Sequence, residues 1–470
     1  MYDNKNMKKT TVCLANDSFP PTIDGVANVV ANYARIINKL SKAIVATPYD
    51  PDSDDSQYDF SIYRYPSINT RELIGYRTGI PFSLKVFNEI QNENIDIIHT
   101  HCPMTSCYLA RALRDITNKP IVLTWHTKYD IDINNAIASK LLRKEAIDAI
   151  IANVNACDEV WTVSKGAGEN LKSLGYQGDY IVMENGVDLP KEKIKKDKAL
   201  KLLKDYDLKT DKPILLFVGR MMWYKNIRLI LDGLRGLEDD GVDYQMLFIG
   251  DGADKSEIME YANSLKLNNV CFLNAIKERE MLRAFYSIAN LFVFPSTFDT
   301  NGLVVREAAA CGLPSVLVKD SCAAEGAIDN HNAYLISEDY RSLYQKLKEI
   351  LTSADQMNNV GINAQNELYI SWEEACHKAY ERYQIVIDNY NRSGIIHNDK
   401  LSVEIFELLS QGFNRYQEVK DKRDDLLEKI NDQYDALKHL LADKDLVIHD
   451  KNISILKRIH LLIEEIRKID

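Results

Sequence analysis

The sequence predicts an α/β protein of two domains, each a parallel β-sheet with helices on both faces. Short apolar runs alternate with helical patterns through residues 10–340, and this pattern occurs twice, with a charged break at Pro190–Lys198. Apolar runs without polar alternation are typical of strands buried on both faces, and strands separated by helices form βαβ units. We therefore expect two Rossmann-like, doubly wound halves that face a cleft, with ligands at the carboxyl ends of the strands.

The predicted strands fall into one set for each half, because each apolar run is short and is followed by a helical pattern. The first half is expected to contain Thr11–Ala15, Ala43–Thr47, Ile95–His99, Ile121–Trp125, Val160–Val163 and Tyr180–Met183. The second half is expected to contain Ile214–Val218, Gln245–Ile249, Cys271–Leu273, Leu291–Phe294, Ser315–Val318 and Ala333–Ile336.

The domain boundaries follow from these sets. Residues 1–192 are predicted to form an acceptor domain and residues 193–371 a donor domain. A helix pattern at Trp372–Asn391, within a segment 372–395, is expected to close the second half. Residues 396–470 are charged and helix-forming, and their apolar residues follow a three-four alternation that fits either a coiled coil or a helical hairpin packed on the other domains.

Composition narrows the class of protein. The chain has 470 residues and a formal net charge of −11, which argues against general nucleic-acid binding. Its 8 cysteines form no CxxC pair, so neither a zinc site nor a disulfide framework is indicated and a reducing compartment fits best. We see no signal peptide and no membrane-spanning run, and we expect a cytoplasmic protein with peripheral contact to the inner face of the cell membrane left open.

The most informative segment is 298–314, which carries two carboxylates, Asp299 and Glu307. Between them Asn301, Gly302 and Leu303 open a helix directly after an apolar strand. A helix N-terminus that bears glycine is a natural anion site, because free backbone N–H groups point outward there. Glu307, inside that helix, could accept hydrogen bonds from hydroxyls of the same ligand. An anion and a polyol on one ligand suggest a nucleotide-sugar.

In each half, the loop after the first strand is a further candidate binding site. Gly25 opens a helix over Val26–Leu40, where a glycine lets the backbone approach a phosphate, although an ordinary βα loop is the alternative. The segment lacks the GxGxxG pattern of dinucleotide sites. In the second half Gly219, Arg220 and Lys225 lie between strand and helix. The two cations could clamp a diphosphate, the alternative being a solvated basic pair.

Histidines end two strands of the first half. His126 follows the strand Ile121–Trp125 and would face the cleft, either as a catalytic group or as a structural one. His99 and His101 could in principle bind a metal, but no carboxylate or cysteine at ligand spacing completes a site. The acidic loop Asp50–Asp55 has the DxD spacing of metal-dependent sugar transferases, yet it is interpreted as a solvated loop. No metal and no cofactor are therefore expected.

Taken together, these residues resemble glycosyltransferase family 4, retaining enzymes of the GT-B fold, over about residues 8–390. The family's most specific motif is a pair of Glu residues separated by seven residues. This chain has Asp299 at the first of these positions and Glu307 at the second. The match is close through Gly302–Val305 and Cys311–Pro314. Asp299 departs from the family pattern by one methylene group, which bears on how this residue reaches the donor sugar.

The resemblance implies roles for the site residues. Glu307 would hold the ribose of a UDP- or GDP-like donor, Asp299 would contact the transferred sugar, and the N–H groups of Asn301, Gly302 and Leu303 would bind its oxygens. Arg220 and Lys225, next to Gly219, would bind the diphosphate with Gly25 nearby, and His126 would lie beside the sugar. The implied reaction needs no metal: the acceptor attacks from the face that the diphosphate leaves, and the anomer is retained. Asp299 as a covalent nucleophile is the competing mechanism.

Within the family, the segments Phe19–Ala27, His99–His101, His126–Tyr129 and Ser296–Gly302 look most like bacterial diacylglycerol glucosyltransferases. This likeness implies UDP-glucose as donor, a membrane lipid as acceptor and a basic amphipathic membrane surface, for which Arg71–Lys85 and Ser139–Lys144 are candidates. A saccharide or cell-surface polymer acceptor remains open, as does a non-catalytic scaffold that uses its helical tail. The tail could also form a homo-oligomer.

Overall fold

The fold is taken from a computed structural model, which describes residues 9–22, 24–71, 76–130, 133, 139–352 and 355–395. The chain forms two compact units, Met1–Pro81 with Val86–Asn398, and Phe82–Lys85 with Asp399–Asp470. The description below concerns the first unit. The predicted helical extension 396–470, with its coiled coil and its possible oligomer contact, lies outside the described residues.

The first half is built on a parallel sheet of seven strands in the order β3-β2-β1-β6-β7-β8-β9, with a two-stranded antiparallel hairpin, β4–β5, beside it. Parallel neighbours require crossover connections, and the helices between the strands supply them. The strands are β1 Thr11–Ala15, β2 Lys42–Pro48, β3 Ser61–Tyr65, β4 Ser67–Ile68, β5 Thr78–Gly79, β6 Ile97–Thr100, β7 Ile121–Trp125, β8 Glu159–Thr162 and β9 Ile181–Val182. The helices are α1 Gly25–Leu40, α2 Leu84–Gln91, α3 Thr105–Thr117, α4 Lys140–Asn155 and α5 Lys165–Ser173.

The second half is a parallel sheet of six strands in the order β12-β11-β10-β13-β14-β15. Its strands are β10 Ile214–Val218, β11 Gln245–Ile249, β12 Val270–Leu273, β13 Leu291–Phe294, β14 Ser315–Val318 and β15 Tyr334–Ile336. Its helices are α6 Lys196–Leu202, α7 Ile227–Asp239, α8 Lys255–Ser264, α9 Arg279–Ile288, α10 Leu303–Ala310, α11 Tyr340–Thr352 and α12 Asp355–Glu367. Short 3-10 turns form at Asp55–Gln57, Trp223–Lys225 and Cys322–Ala324.

The prediction of two doubly wound parallel sheets is confirmed. Strands β1, β7, β10, β11, β13 and β14 have the predicted bounds, since each is a run of buried apolar residues. The edge strand β3 was not predicted. Its sequence, Ser-Ile-Tyr-Arg-Tyr, mixes polar and apolar residues, because an edge strand pairs on one side and is only partly covered.

The helix α13, Trp372–Ser393, follows the second sheet but packs on the first half. Its residues Trp372 and Tyr383 join the core formed by β1, β2 and α1, and Arg382 makes an ion pair of 2.6 Å with Glu159 on β8. The expectation that this helix closes the second half is therefore wrong. A helical pattern specifies an apolar face but not the partner that covers it.

Candidate active site

A cavity of about 470 Å³ lies between the two halves, where the carboxyl ends of both sheets face each other. This is the place where open parallel sheets bind ligands. The predicted residues that line it are Gly25, His126, Arg220, Lys225, Asp299, Asn301, Gly302 and Leu303. Gly219 and Glu307 do not line this cavity. The fold therefore brings most of the predicted site to one place, from four separate loops.

Gly25 is the first residue of α1 and faces open space. A Cβ built at this position meets no atom within 4 Å. The preceding Asp24 caps the helix, because its carboxylate accepts from the N–H of Ala27 at 3.1 Å. The N-terminus of α1 therefore points at the cavity with room for a ligand beside it.

His126 lies at the end of β7 and is buried. Its Nε2 is 3.0 Å from Nδ1 of His101, which follows β6. Burial lowers the pKa of His126 to about 3, so the ring is neutral at any physiological pH. In the described part of the chain, no group of three or more His, Cys, Asp or Glu residues is placed to hold a metal ion.

The two predicted cations behave differently. Arg220 is exposed, and its guanidinium has no hydrogen bond or ion pair with the described residues. Lys225 is buried, and its Nζ donates to Oδ1 of Asp299 at 2.6 Å. The rings of Tyr224 and Phe298 lie over the ammonium, each with a centroid 5.6 Å away. Lys225 is thus fixed in place, whereas Arg220 is available to an anion in the cavity.

Asp299 has both carboxylate oxygens engaged. Oδ1 accepts from Lys225, and Oδ2 accepts from the hydroxyl of Ser296 at 2.5 Å. Ser296 is fully buried, so the short side chain of Asp299 is held back against the wall of the cavity. The expected contact of Asp299 with a sugar stays a prediction, and its observed partners belong to the protein.

The N-terminus of α10 forms the floor of the cavity. Gly302 caps it with a φ of 62°, and a Cβ there would lie 2.9 Å from the Cα of Ala323. Only glycine fits both constraints without strain. The first N–H groups of a helix have no partner within it, so those after Gly302 face the cavity as hydrogen-bond donors. This geometry suits an anion or a sugar oxygen.

Glu307 lies deeper in α10 and is buried. Oε1 accepts from Arg279 at 2.9 Å, and Oε2 accepts from the hydroxyl of Tyr286 at 3.0 Å. Burial raises the pKa of the Glu307 carboxyl, and the Arg279 guanidinium opposes that rise. Both oxygens of Glu307 therefore hold partners within the protein, and its expected contact with the ribose of a donor stays a prediction.

Gly219, the other predicted residue that does not line the cavity, lies against Gly250. A Cβ built on Gly250 would come within 1.9 Å of the carbonyl oxygen of Gly219.

Several contacts join the two halves directly beside the cavity. The side chain of Asn301 donates to the carbonyl of Val163 at 2.6 Å, and Thr300 donates to the carbonyl of His126 at 2.7 Å. Lys128 reaches the carbonyl of Thr297 at 3.2 Å. The loop 298–302 is therefore held against the first half.

Sequence reasoning did not identify Ser296, Arg279 or the aromatic pair Tyr224 and Phe298 as parts of the site. Each acts on a predicted residue rather than carrying a motif of its own, so a single sequence offers no direct signal for it. In the acidic loop Asp50–Asp55, Arg71 bonds to Asp50 and Asp52, and Arg64 bonds to Asp55.

Fold and site together define a glycosyltransferase of the GT-B class. Residues 23–191 match the family model described as Glycosyltransferase Family 4, and residues 200–367 match the model described as Glycosyl transferases group 1. The two models together span most of the chain, from the helix of Gly25 to the end of α12. The chain belongs to the GT-B glycosyltransferases of family 4.

Curated relatives and solved structures agree with this assignment. The chain is 23% identical to the alpha-monoglucosyldiacylglycerol synthase of Acholeplasma laidlawii over 392 residues, 80% of this chain and 97% of the relative. It is also 23% identical to the enzyme of that name from Streptococcus pneumoniae, over 84% of this chain and 90% of the relative. A structure of HepE from Anabaena in complex with UDP superposes with a TM-score of 0.64 at 15% identity, covering 80% of this chain and 100% of HepE.

Proposed function

We propose that this protein transfers glucose from UDP-glucose to a membrane lipid such as diacylglycerol, with retention of the anomeric configuration and without a metal ion. The observation that carries the proposal is the cavity itself, where Arg220, Lys225 and the N-terminus of α10 converge opposite His126 and Gly25. The relatives named for monoglucosyldiacylglycerol synthesis support the acceptor. The UDP-bound neighbour supports the nucleotide.

The charges in the cavity suit the departure of a diphosphate. Arg220 has no competing partner among the described residues, and two of the three N–H donors of Lys225 remain after its bond to Asp299. Fixed cations that face developing negative charge supply much of an enzyme's rate enhancement. The diphosphate would leave against Arg220 and Lys225, while one of its oxygens assists deprotonation of the acceptor hydroxyl on the same face.

The geometry disfavours the covalent alternative. A nucleophilic Asp299 would need a free carboxylate oxygen aimed at the anomeric carbon, but both of its oxygens hold partners in the wall of the cavity. Freeing one would leave the buried Lys225 or Ser296 without its acceptor, which costs about 1–3 kcal/mol. Attack by the acceptor from the face of the leaving group needs no such rearrangement.

The first half carries a surface that suits a membrane-bound acceptor. Leu141 and Leu142, in the first turn of α4, are 68% and 58% exposed and lie between Lys140 and Lys144. Apolar side chains among cations are typical of helices that lie in the interface of anionic membranes. The other candidate, Arg71–Lys85, includes residues 72–75, which lie outside the described residues. No helix in the described part of the chain is long and apolar enough to span a bilayer.

The decisive experiment supplies UDP-glucose with vesicles of phosphatidylglycerol and diacylglycerol and identifies the product by mass spectrometry and NMR. We expect an α-linked glucolipid, formed equally well in EDTA. A Leu141→Ser/Leu142→Ser variant should lose vesicle binding and lipid glucosylation but keep slow hydrolysis of UDP-glucose. Ile362→Ser, which changes a residue 55% exposed on α12, is the matched control.

Other outcomes separate the alternatives. No glucolipid and no co-sedimentation with vesicles would remove the lipid acceptor, and a panel of saccharide acceptors would then be tested. Equal donor hydrolysis by wild type and Glu307→Ala would favour a non-catalytic scaffold. A thermal-shift screen across UDP-, GDP- and ADP-sugars identifies the donor. A β-linked product would contradict retention.

A further inference from the structure

Three histidines form a buried chain that leads from α13 to the cavity. His126 contacts His101 through Nε2 and Nδ1 at 3.0 Å. The ring of His99 lies 3.9 Å from that of His101, centroid to centroid. Both nitrogens of His99 are engaged, one by the hydroxyl of Tyr383 at 2.5 Å and the other by Thr124 at 2.7 Å. His99 therefore has a fixed orientation, and His101 is packed against it.

All three rings are neutral. Burial lowers the pKa of His99 and His101 well below the ordinary range, and neighbouring histidines lower it further. A neutral imidazole has one N–H donor and one bare acceptor nitrogen. The contact between His101 and His126 is therefore a hydrogen bond with a single proton, which belongs to either Nδ1 of His101 or Nε2 of His126.

The surroundings of His101 decide between the two. Its Nε2 is buried and makes no hydrogen bond with any residue that the structure describes. If His126 donated the shared proton, His101 would carry its own proton on Nε2, and a buried N–H would have no acceptor. Among buried backbone groups, N–H donors without a partner are rarer than carbonyls without one, and we expect the same order for an imidazole. The proton on Nδ1 of His101 leaves only a bare acceptor unpaired.

We propose that His101 is a positioning residue that fixes His126 as the tautomer protonated on Nδ1. Nε2 of His126 accepts from His101, so the ring presents an N–H donor, not a base, to the cavity that it lines. Given the proposed function, that donor serves a sugar hydroxyl or a diphosphate oxygen of the nucleotide-sugar. His126 then binds and orients the donor and removes no proton from the acceptor.

Two amide variants of His101 separate positioning from packing. In His101→Asn the amide nitrogen can take the place of Nδ1 and still donate to His126. In His101→Gln the longer side chain places its amide near the position of Nε2, so the donor to His126 is lost while size and polarity stay similar. Asn should preserve the tautomer, and Gln should release it.

The test is a two-bond ¹⁵N–¹H spectrum of the full chain labelled with ¹⁵N-histidine, with the His126 signal assigned by its loss in His126→Gln. We expect His126 to be protonated on Nδ1 in the wild type and in His101→Asn, and on Nε2 in His101→Gln. A wild-type His126 protonated on Nε2 would overturn the proposal, as would an unchanged tautomer in His101→Gln. The wild-type spectrum decides alone if the Gln variant does not fold.

Kinetics give the second measurement. His101→Gln should lower kcat/KM for the nucleotide-sugar about tenfold, the scale of one hydrogen bond, while His101→Asn keeps most of it. Equal losses in both variants would reduce His101 to a packing residue. The spectrum needs no substrate, so a protein with the expected tautomer but no glucosyl transfer would refute the proposed function and leave this inference standing.

Discussion

The two halves face the same cavity with different chemistry. The second half presents charge to the cavity through an exposed Arg220 and through Lys225 paired with Asp299, while Glu307, paired with Arg279, is not part of the cavity lining. The first half presents the neutral His126 and also Lys128, whose ammonium donates to the carbonyl of Thr297, and the carboxylates of its cavity wall are used as helix caps. Asp17, for example, accepts from the N–H of Ser106 at 2.6 Å in the first turn of α3.

Under the proposed function, this difference suits a donor role for the second half and an acceptor role for the first. A diphosphate needs cations that face it in a site sheltered from water, because electrostatic interactions are stronger there. An acceptor hydroxyl needs a rigid polar wall, and the charged Lys128 in this wall is tied to the carbonyl of Thr297. Rigid elements supply that wall, because α1 and α3 begin at the cavity with capped N-termini.

The largest effect is expected at Arg220, whose charge has no partner among the described residues. Arg220→Gln should lower kcat/KM by about 100- to 1,000-fold, since it removes one fixed cation from the leaving group. The stability of this variant should stay unchanged, because Arg220 has no partner among the described residues. Steady-state kinetics measure the change in kcat/KM, and thermal melts measure the stability. Arg341→Gln, an exposed arginine on α11, is the control, and equal rates in the two variants would contradict the role of Arg220.

Two glycines sharpen the comparison. Gly302→Ala should destabilise the protein by about 1–3 kcal/mol, because it forces a side chain into left-handed backbone against Ala323. Gly25→Ala should leave stability within about 0.5 kcal/mol, because its Cβ meets open space, but should weaken UDP binding if a phosphate lies there. Urea unfolding and calorimetric titration with UDP test the pair. Unaltered UDP affinity in Gly25→Ala would remove Gly25 from the donor site.

The neutral histidines make the first half sensitive to acid. Burial depresses the pKa of His126 in the folded protein to about 3, whereas a histidine in the unfolded chain has a pKa of about 6.5. Below pH 6.5 the unfolded chain therefore binds a proton that the folded protein does not, and the free energy of unfolding falls as the pH falls through that value. Each such residue should cost about 1.4 kcal/mol between pH 7.5 and pH 5.5. Urea unfolding at both pH values measures the loss. In His101→Asn this loss of unfolding free energy should be smaller by the contribution of one histidine. An identical loss in that variant would contradict the burial argument.

The smallest effect is expected at the residue that departs from the family pattern. Asp299→Glu keeps the charge and can keep the bond to Lys225, so we expect less than a tenfold change in rate, within about 1.4 kcal/mol. Donor preference should stay the same if Asp299 acts on Lys225 rather than on the sugar. A switch among UDP-sugars in a competition assay would show instead that Asp299 reads the sugar.

Much of the fold could be predicted from the sequence, because buried parallel strands carry their signal locally. Leu291–Phe294 needs no partner to be recognised as apolar on both faces. The edge strand β3 carries no such signal, since its exposure depends on what lies beside it. The positions of Gly25, Arg220 and Asn301 at one cavity followed from a general rule of strand ends, but their distances did not.

The sequence by itself determined the two halves, the polar loops that follow the strands and the glycine at the start of α10. The tertiary structure decided that α13 returns to the first half and that Lys225 bonds to Asp299 across 74 residues. It also decided that His126 meets His101. The physical reason is range: backbone preference and hydrophobic pattern act over a few residues, whereas ion pairs, burial and the tautomer of a histidine depend on groups that only the folded chain brings together.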